Sequence, residues 1–268
     1  MNVFQKRNIW LVTCACLLPM AGFAVDLGEE EVKVTLEHTY TTKYIWMGYD
    51  IFSDDAGAFQ PSLTLDWRGF YTGVMGSFAD ESGYQDEEEL QYFLGYNRRF
   101  FEDDVYALNT VVGYTYYDRY KSDSVSGKDG VSDTSEIWVG MYFPQLIPIG
   151  DSYLVPSTSF FYEYDGIQNE DDVDNGWLFK FDLSYDLPIP ALIQDQDKQA
   201  LNFNCNVMYN DGIFGSDSAW SHTGLGIETT FEWMGFYFTP SLHYQFSFDD
   251  TINPEDEFFS AFTIGYSF

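Results

Sequence analysis

From Val32 to the C-terminus, apolar and polar side chains alternate one by one, broken at intervals by turn-forming clusters. Val32, Val34, Leu36 and Tyr40 alternate with Lys33, Thr35, Glu37 and Thr39; Trp177, Phe179, Phe181, Leu183 and Tyr185 alternate with Lys180, Asp182, Ser184 and Asp186. Phe236, Phe238, Leu242, Tyr244 and Phe246 stand against Tyr237, Thr239, Ser241, His243 and Gln245. A period of two is the signature of a strand with one apolar face. Counted along the chain, the pattern predicts about twelve strands, each near the ~9–11 residues that a tilted strand needs to cross a bilayer. The final run places Phe258, Phe262, Ile264, Tyr266 and Phe268 on one face, with Phe259, Ala261, Thr263, Gly265 and Ser267 on the other.

The connections alternate as well. Compact ones (Trp67-Arg68-Gly69, Arg98 to Asp103, Pro144 to Asp151, Pro188 to Lys198, Glu232 to Gly235) interleave with acidic ones. The acidic ones are Tyr49 to Gly57, Ala79 to Glu88, Asp118 to Thr134, Asp165 to Asn175, Asp211 to Ser218 and Asp249 to Glu257. A soluble sandwich explains the strand period but not this parity. Both are explained by an all-β fold: a single closed antiparallel transmembrane barrel of about twelve strands, N- and C-termini on the periplasmic side. Trp67 and Trp233 fall beside compact turns, and Trp46, Trp177 and Trp220 beside acidic loops, as two interfacial girdles would require. His38 falls on the nominal lipid face, which predicts either a bulge or an interfacial position.

The terminal aromatic, with Phe262, Ile264 and Tyr266 at two-residue steps before Phe268, resembles the C-terminal signal of bacterial outer-membrane β-barrels. That resemblance implies recognition of Phe262, Ile264, Tyr266 and Phe268 by the barrel assembly machinery, and pairing of this strand with Val32 to Tyr44. The stretches Tyr44-Ile45-Trp46-Met47-Gly48-Tyr49, Trp67 to Ser77, Leu94-Gly95-Tyr96 and Gly113 to Tyr117 resemble the TorF family of bacterial outer-membrane proteins. Met47-Gly48 stands where that family's opening motif has an Arg-Gly pair. The resemblance implies the same barrel and little about activity.

Composition sharpens the picture. Aromatic residues make up 20% of the 268 residues, yet mean hydropathy is −0.24. Hydrophobicity spread over every second residue is what a transmembrane barrel shows, because a sliding window averages it away. Residues 1–24 read as a cleaved export signal: basic Lys6 and Arg7, the apolar run Ile9 to Met20, then Gly22 and Ala24 around the cleavage site. Residues 25–268 form the barrel, with Cys205 as its one cysteine and therefore no internal disulfide. The formal net charge of −31 excludes nucleic acid as a partner.

The inner wall then carries Glu37, Asp66, Glu163, Lys180, Asp182, Glu228 and His243 as pore candidates. An acidic wall and acidic loops favour cations. The expected function is a small porin-like channel passing small solutes, with a preference for cations. The alternative is a structural or surface-interaction barrel with a plugged lumen, whose acidic loops bind divalent cations or lipopolysaccharide. Asp171, Asp172 and Asp174 are the candidate metal ligands, although they complete no known ligand motif. No cofactor is expected. His222 near Asp211 or Asp217 offers a general base with an orienting carboxylate, but no nucleophile motif accompanies it, so the expectation is a barrel that is not an enzyme.

Overall fold

The computed structural model describes residues 32–52, 56–84, 87–119, 133–165, 175–193, 196 and 199–268. The export signal lies outside them. Twelve strands follow in chain order: β1 Lys33–Thr41, β2 Ala58–Trp67, β3 Phe70–Ala79, β4 Glu89–Phe100, β5 Leu108–Arg119 and β6 Thr134–Tyr142. The ring continues with β7 Ser152–Asp165, β8 Gly176–Ile189, β9 Gln199–Asp211, β10 Ser218–Thr229, β11 Phe236–Ser247 and β12 Glu257–Ser267. Each pairs antiparallel with its chain neighbours, and the short pieces Ile147–Ile149 and Phe231–Trp233 lengthen two of the hairpins.

The ring closes where β12 returns to β1. Register runs unbroken from Thr35 opposite Ser267 to Thr41 opposite Ala261. Val34 and Phe268 exchange both backbone hydrogen bonds, at 2.8 and 2.9 Å, so the pairing reaches the last residue. The strand is shorter than the expected Val32 to Tyr44. It stops at Thr41, whose hydroxyl donates to the Lys43 carbonyl at 2.7 Å and turns the chain aside.

At the end of the barrel that holds both strand termini, Arg68-Gly69 and Met234-Gly235 make two-residue turns with positive φ at both positions. That is the type I′ geometry whose twist matches a hairpin. This is the turn end; the strand ends that lead into the acidic connections lie at the opposite, loop end.

Outside, the alternation produces a continuous apolar belt that includes Phe70, Leu94, Val112, Ile137, Phe181, Leu225, Phe258 and Phe262, all exposed. Such a belt is stable only against hydrocarbon, and a closed ring leaves no backbone edge to solvate. The barrel therefore spans a membrane. Trp67 and Trp233 rim the turn end, and Trp177 and Trp220 rim the loop end, all exposed outward. Outward tyrosines at the loop end dip their hydroxyls into rim carboxylates: Tyr40 donates to Asp80 and Tyr116 to Asp133, both at 2.9 Å. His38 is outward in unbroken register, stacked on Phe59 at 5.8 Å, so no bulge is involved.

Trp220 and His222 have the same parity but opposite faces. The register shifts here: Met208 faces His222 and Tyr209 faces Trp220, leaving Ser221 as an extra residue. The Ser221 hydroxyl donates to the Met208 carbonyl at 3.2 Å and is fully buried. A bulge of this kind re-aims one side chain without ending the strand.

Inside, the wall is less polar than alternation implies. Phe93 lies across Gly73, Tyr71 across Gly95, Trp138 across Gly113 and Tyr237 across Gly265. A Cβ on any of these glycines would stand 2.2–2.6 Å from the aromatic side chain that covers it. Glycine is needed at these positions for close approach, and the rings lie flat along the wall.

The seam is testable. Thr39 and Thr263 sit opposite one another with hydroxyls 2.7 Å apart, one step out of phase with the hydrogen-bonded pairs of the ladder. Cα atoms at such sites are ~4.5 Å apart, within disulfide range. In a Cys205→Ala background, Thr39→Cys with Thr263→Cys should cross-link on mild oxidation. The product should run faster than the reduced chain on a denaturing gel; no cross-link in folded protein would contradict the closure.

Candidate functional site

The feature that decides what the lumen can do is the connection from β1 to β2. Its acidic content predicts an outer loop, but residues 42–52 turn inward instead. Lys43 forms an ion pair with Glu257 at the loop end of β12, and the Thr42 amide donates to the Ser260 carbonyl at 2.9 Å. The chain then makes a miniature hairpin, Ile45–Trp46 against Tyr49–Asp50, around Met47 (φ 51°) and Gly48 (φ 97°). Positive φ at both positions again marks a type I′ turn, which the Met-Gly pair permits.

This hairpin crosses the lumen. On one side Tyr44 and Phe52 are buried with Ala56 and Ala58, and Trp46 and Ile51 pack against them. On the other, Trp46, Met47 and Tyr49 press on Leu178, Met208 and Ile213 from β8, β9 and the loop after it. At the tip, the Gly48 carbonyl accepts from Gln245 Nε2 at 2.9 Å. A Cβ on Gly48 would stand 2.6 Å from His222 Nδ1. Trp46, expected in the girdle, is inside: its indole N–H donates to the Tyr117 hydroxyl at 3.2 Å.

Polar contacts fix the hairpin at both edges. The Tyr49 hydroxyl accepts from Asn210 Nδ2 at 2.9 Å and lies 3.2 Å from the Ile213 carbonyl. The Tyr44 hydroxyl donates to Glu89 at 2.5 Å, and Gln91 donates to the same oxygen at 2.7 Å. The other Glu89 oxygen lies 3.2 Å from Arg119 Nε. Burial, then the neighbouring Glu89 carboxylate, holds the Tyr44 phenol well above its ordinary range, so it stays a donor. Close to this group, Glu136 and Glu163 face each other in register and are both buried.

The wall residues singled out in the sequence, Glu37, Asp66, Glu163, Lys180, Asp182, Glu228 and His243, all lie on strand positions opposite the outward belt. They do not converge on one site. Glu163 lies beneath the hairpin, while Lys180 and Asp182 pair with each other at 2.8 Å in mid-wall. Glu228 joins Asp186 and Glu232 around a turn-end cavity of about 240 Å³. His243 bonds Ser241 through Nε2 at 2.9 Å and stacks on Phe259 at 4.9 Å. The His222 Nδ1 pairs with Ser221 at 3.0 Å, and among the described residues no carboxylate bonds to it. The orienting Asp211 or Asp217 of the hydrolase reading is thus missing from that bond. Asp171, Asp172 and Asp174 lie outside the described residues, and among those that are described no group of three acidic, His or Cys side chains converges on a metal position.

No family model matches the sequence, and no curated protein does. The TorF resemblance accordingly stands on its aromatic and glycine motifs alone. Among solved structures the chain is similar to the NanC porin, at 10% identity over 88% of this chain and 98% of that one, with a TM-score of 0.49. It is similar also to the β-domain of the Bordetella autotransporter BrkA (12%, 90% and 99%, 0.46) and to an outer-membrane channel from Pseudomonas putida F1 (12%, 88% and 94%, 0.45). These likenesses are of the barrel as a whole.

The seat of the hairpin makes a measurable claim. Tyr44→Phe keeps the ring but removes a donor from the buried Glu89 carboxylate, a loss worth about 1.5–3 kcal/mol for a charged partner. The unseated fraction should therefore rise by about ten- to a hundredfold. Trypsin cleavage after Lys43 in folded protein should accelerate accordingly, since proteolysis tracks the open population when closing is fast. An unchanged rate would mean that Tyr44 does not hold the segment.

Proposed function

We propose that the protein is a bacterial outer-membrane channel for small solutes, held closed by residues 42–52. The observation that carries this reading is the hairpin itself. It is a separate element laid across the lumen and joined to the wall by non-covalent contacts, with the Thr42 amide on the Ser260 carbonyl at one end and the Gly48 carbonyl on Gln245 at the tip. A barrel that needed only a filled interior has cheaper means, as its own rings over glycine illustrate. The export signal and the parity of the connections support termini in the periplasm and acidic loops outside. Asp186, Glu228 and Glu232 around the turn-end cavity bias that mouth toward cations.

A second reading has its own support. The tyrosine–carboxylate contacts at the loop end order an acidic rim, which suits bridging by divalent cations to lipopolysaccharide phosphates. In that case the hairpin is a permanent filling and no solute passes.

Planar-bilayer recording separates the two. Gly48→Val places a branched side chain against His222 at a turn that already requires positive φ, so the hairpin cannot seat. The variant should conduct about tenfold more than the wild-type protein, with cations carrying most of the current. Silence from both proteins, each folded, would remove the channel and leave the surface reading.

A further inference from the structure

Directly beneath the hairpin tip is a cavity of about 170 Å³. Its roof is the Met47-Gly48 turn, and its wall is formed by Lys180, Asn204, Asn206, His243 and Gln245. Water's share of liquid volume is ~30 Å³, so this is room for about five or six waters, or for one small organic molecule.

The wall has a definite chemical character. Asn206 Oδ1 is buried and has no hydrogen-bond partner among the described residues. The amide lies over Gly224, where a Cβ would stand 2.8 Å from its nitrogen, so the glycine makes space for it. His243 spends Nε2 on Ser241, and its Nδ1 has no partner among the described residues. Lys180 is the one formal charge on the wall, and Asp182 already neutralises it at 2.8 Å. Asn204 donates to Asn202 at 3.3 Å, and Asn202 lines the turn-end cavity. The row Asn202, Asn204, Asn206 thus links the two spaces with amides.

The Asn206 amide, with its unpartnered Oδ1, and the unshared Nδ1 of His243 call for a ligand that both donates and accepts hydrogen bonds. An anion would find only a cation already shared with Asp182. A cation would find no carboxylate on this wall. We infer that the cavity beneath residues 47–48 binds a small neutral polyhydroxylated solute, of about five carbons or fewer, through Asn206 and His243. This rests on the channel reading only in that the bound solute is taken to be one that passes; the binding site itself does not depend on it.

The probes are arabinitol and its two charged relatives, arabinonate and the primary amine 1-amino-1-deoxyarabinitol. Binding to the folded full chain in detergent is followed by equilibrium dialysis and by saturation-transfer NMR. Arabinitol should bind, and each charged relative should bind about tenfold more weakly, the cost of an unpaired charge in a partly desolvated site. Asn206→Leu should weaken arabinitol about tenfold. Asn206→Asp, which preserves size if the leucine variant fails to fold, should turn the preference toward the amine. Equal binding of all three probes, binding indifferent to both substitutions, or a cavity holding water only would overturn the inference. Bilayer recording of Gly48→Val on the same preparations keeps the two readings apart. Current without arabinitol binding removes the site and leaves the channel; binding without current removes the channel and leaves the site.

Discussion

Everything in this molecule depends on the pairing of β1 with β12. Inside a bilayer an unpaired backbone N–H or C=O has no water to turn to, and each costs several kcal/mol. An open sheet of this size would present two such edges. Closing the ring removes both at once, which is why the pairing runs without a break to Phe268. The apolar belt follows from the same constraint. Once the backbone is satisfied along the ring, the outward side chains are free to be whatever hydrocarbon prefers, and the interior is left to hold the polar chemistry. The usual arrangement of a soluble protein is inverted: among the described residues, most of the buried positions are polar or charged.

The inverted interior sets the terms for the hairpin at residues 42–52. An interior rich in Glu89, Arg119, Glu136, Glu163 and amides cannot be sealed by an apolar segment alone. The hairpin meets it with a mixed face, Phe52 and Met47 against apolar clusters and Tyr44, Trp46 and Tyr49 offering polar tips to the wall. Aromatic residues with a polar handle suit this role because one side chain supplies both burial and a directed bond.

The strands and their faces are readable from the sequence because a period of two is a local property, fixed by backbone geometry alone. The closing pair is readable too, since it involves the two ends of the strand series. What local pattern cannot carry is the direction of a loop. Tyr49 to Gly57 is acidic like the outer loops, and the inward turn of residues 42–52 is set by neighbours across the barrel, Leu178, Met208 and Gln245 among them. Trp46 escapes a local reading for the same reason. Its position beside a loop is right for a girdle, and its partner Tyr117 is 71 residues away. The Ser221 bulge leaves a faint signal: Trp220 and His222 share parity, although one suits lipid and the other does not. The glycine–aromatic motifs carry a clearer one. Gly73, Gly95 and Gly113 in those stretches are where inward rings lie down on neighbouring strands, so the motif records a space requirement across strands rather than along one.

The anchors of the hairpin come from opposite ends of the chain. Lys43 reaches Glu257 and Gly48 receives Gln245, contacts that span 214 and 197 residues. A chain made and delivered from its N-terminus holds the hairpin from the start but lacks half of its seat until the last two strands arrive. In a half-built wall the segment finds Glu89 and Tyr117 but neither Gln245 nor Glu257. Seating of the hairpin is thus timed by the completion of the ring: an intermediate with β12 unpaired has an open sheet edge and a hairpin without its Glu257 anchor, and a single event, the arrival of the C-terminal strand, supplies both partners.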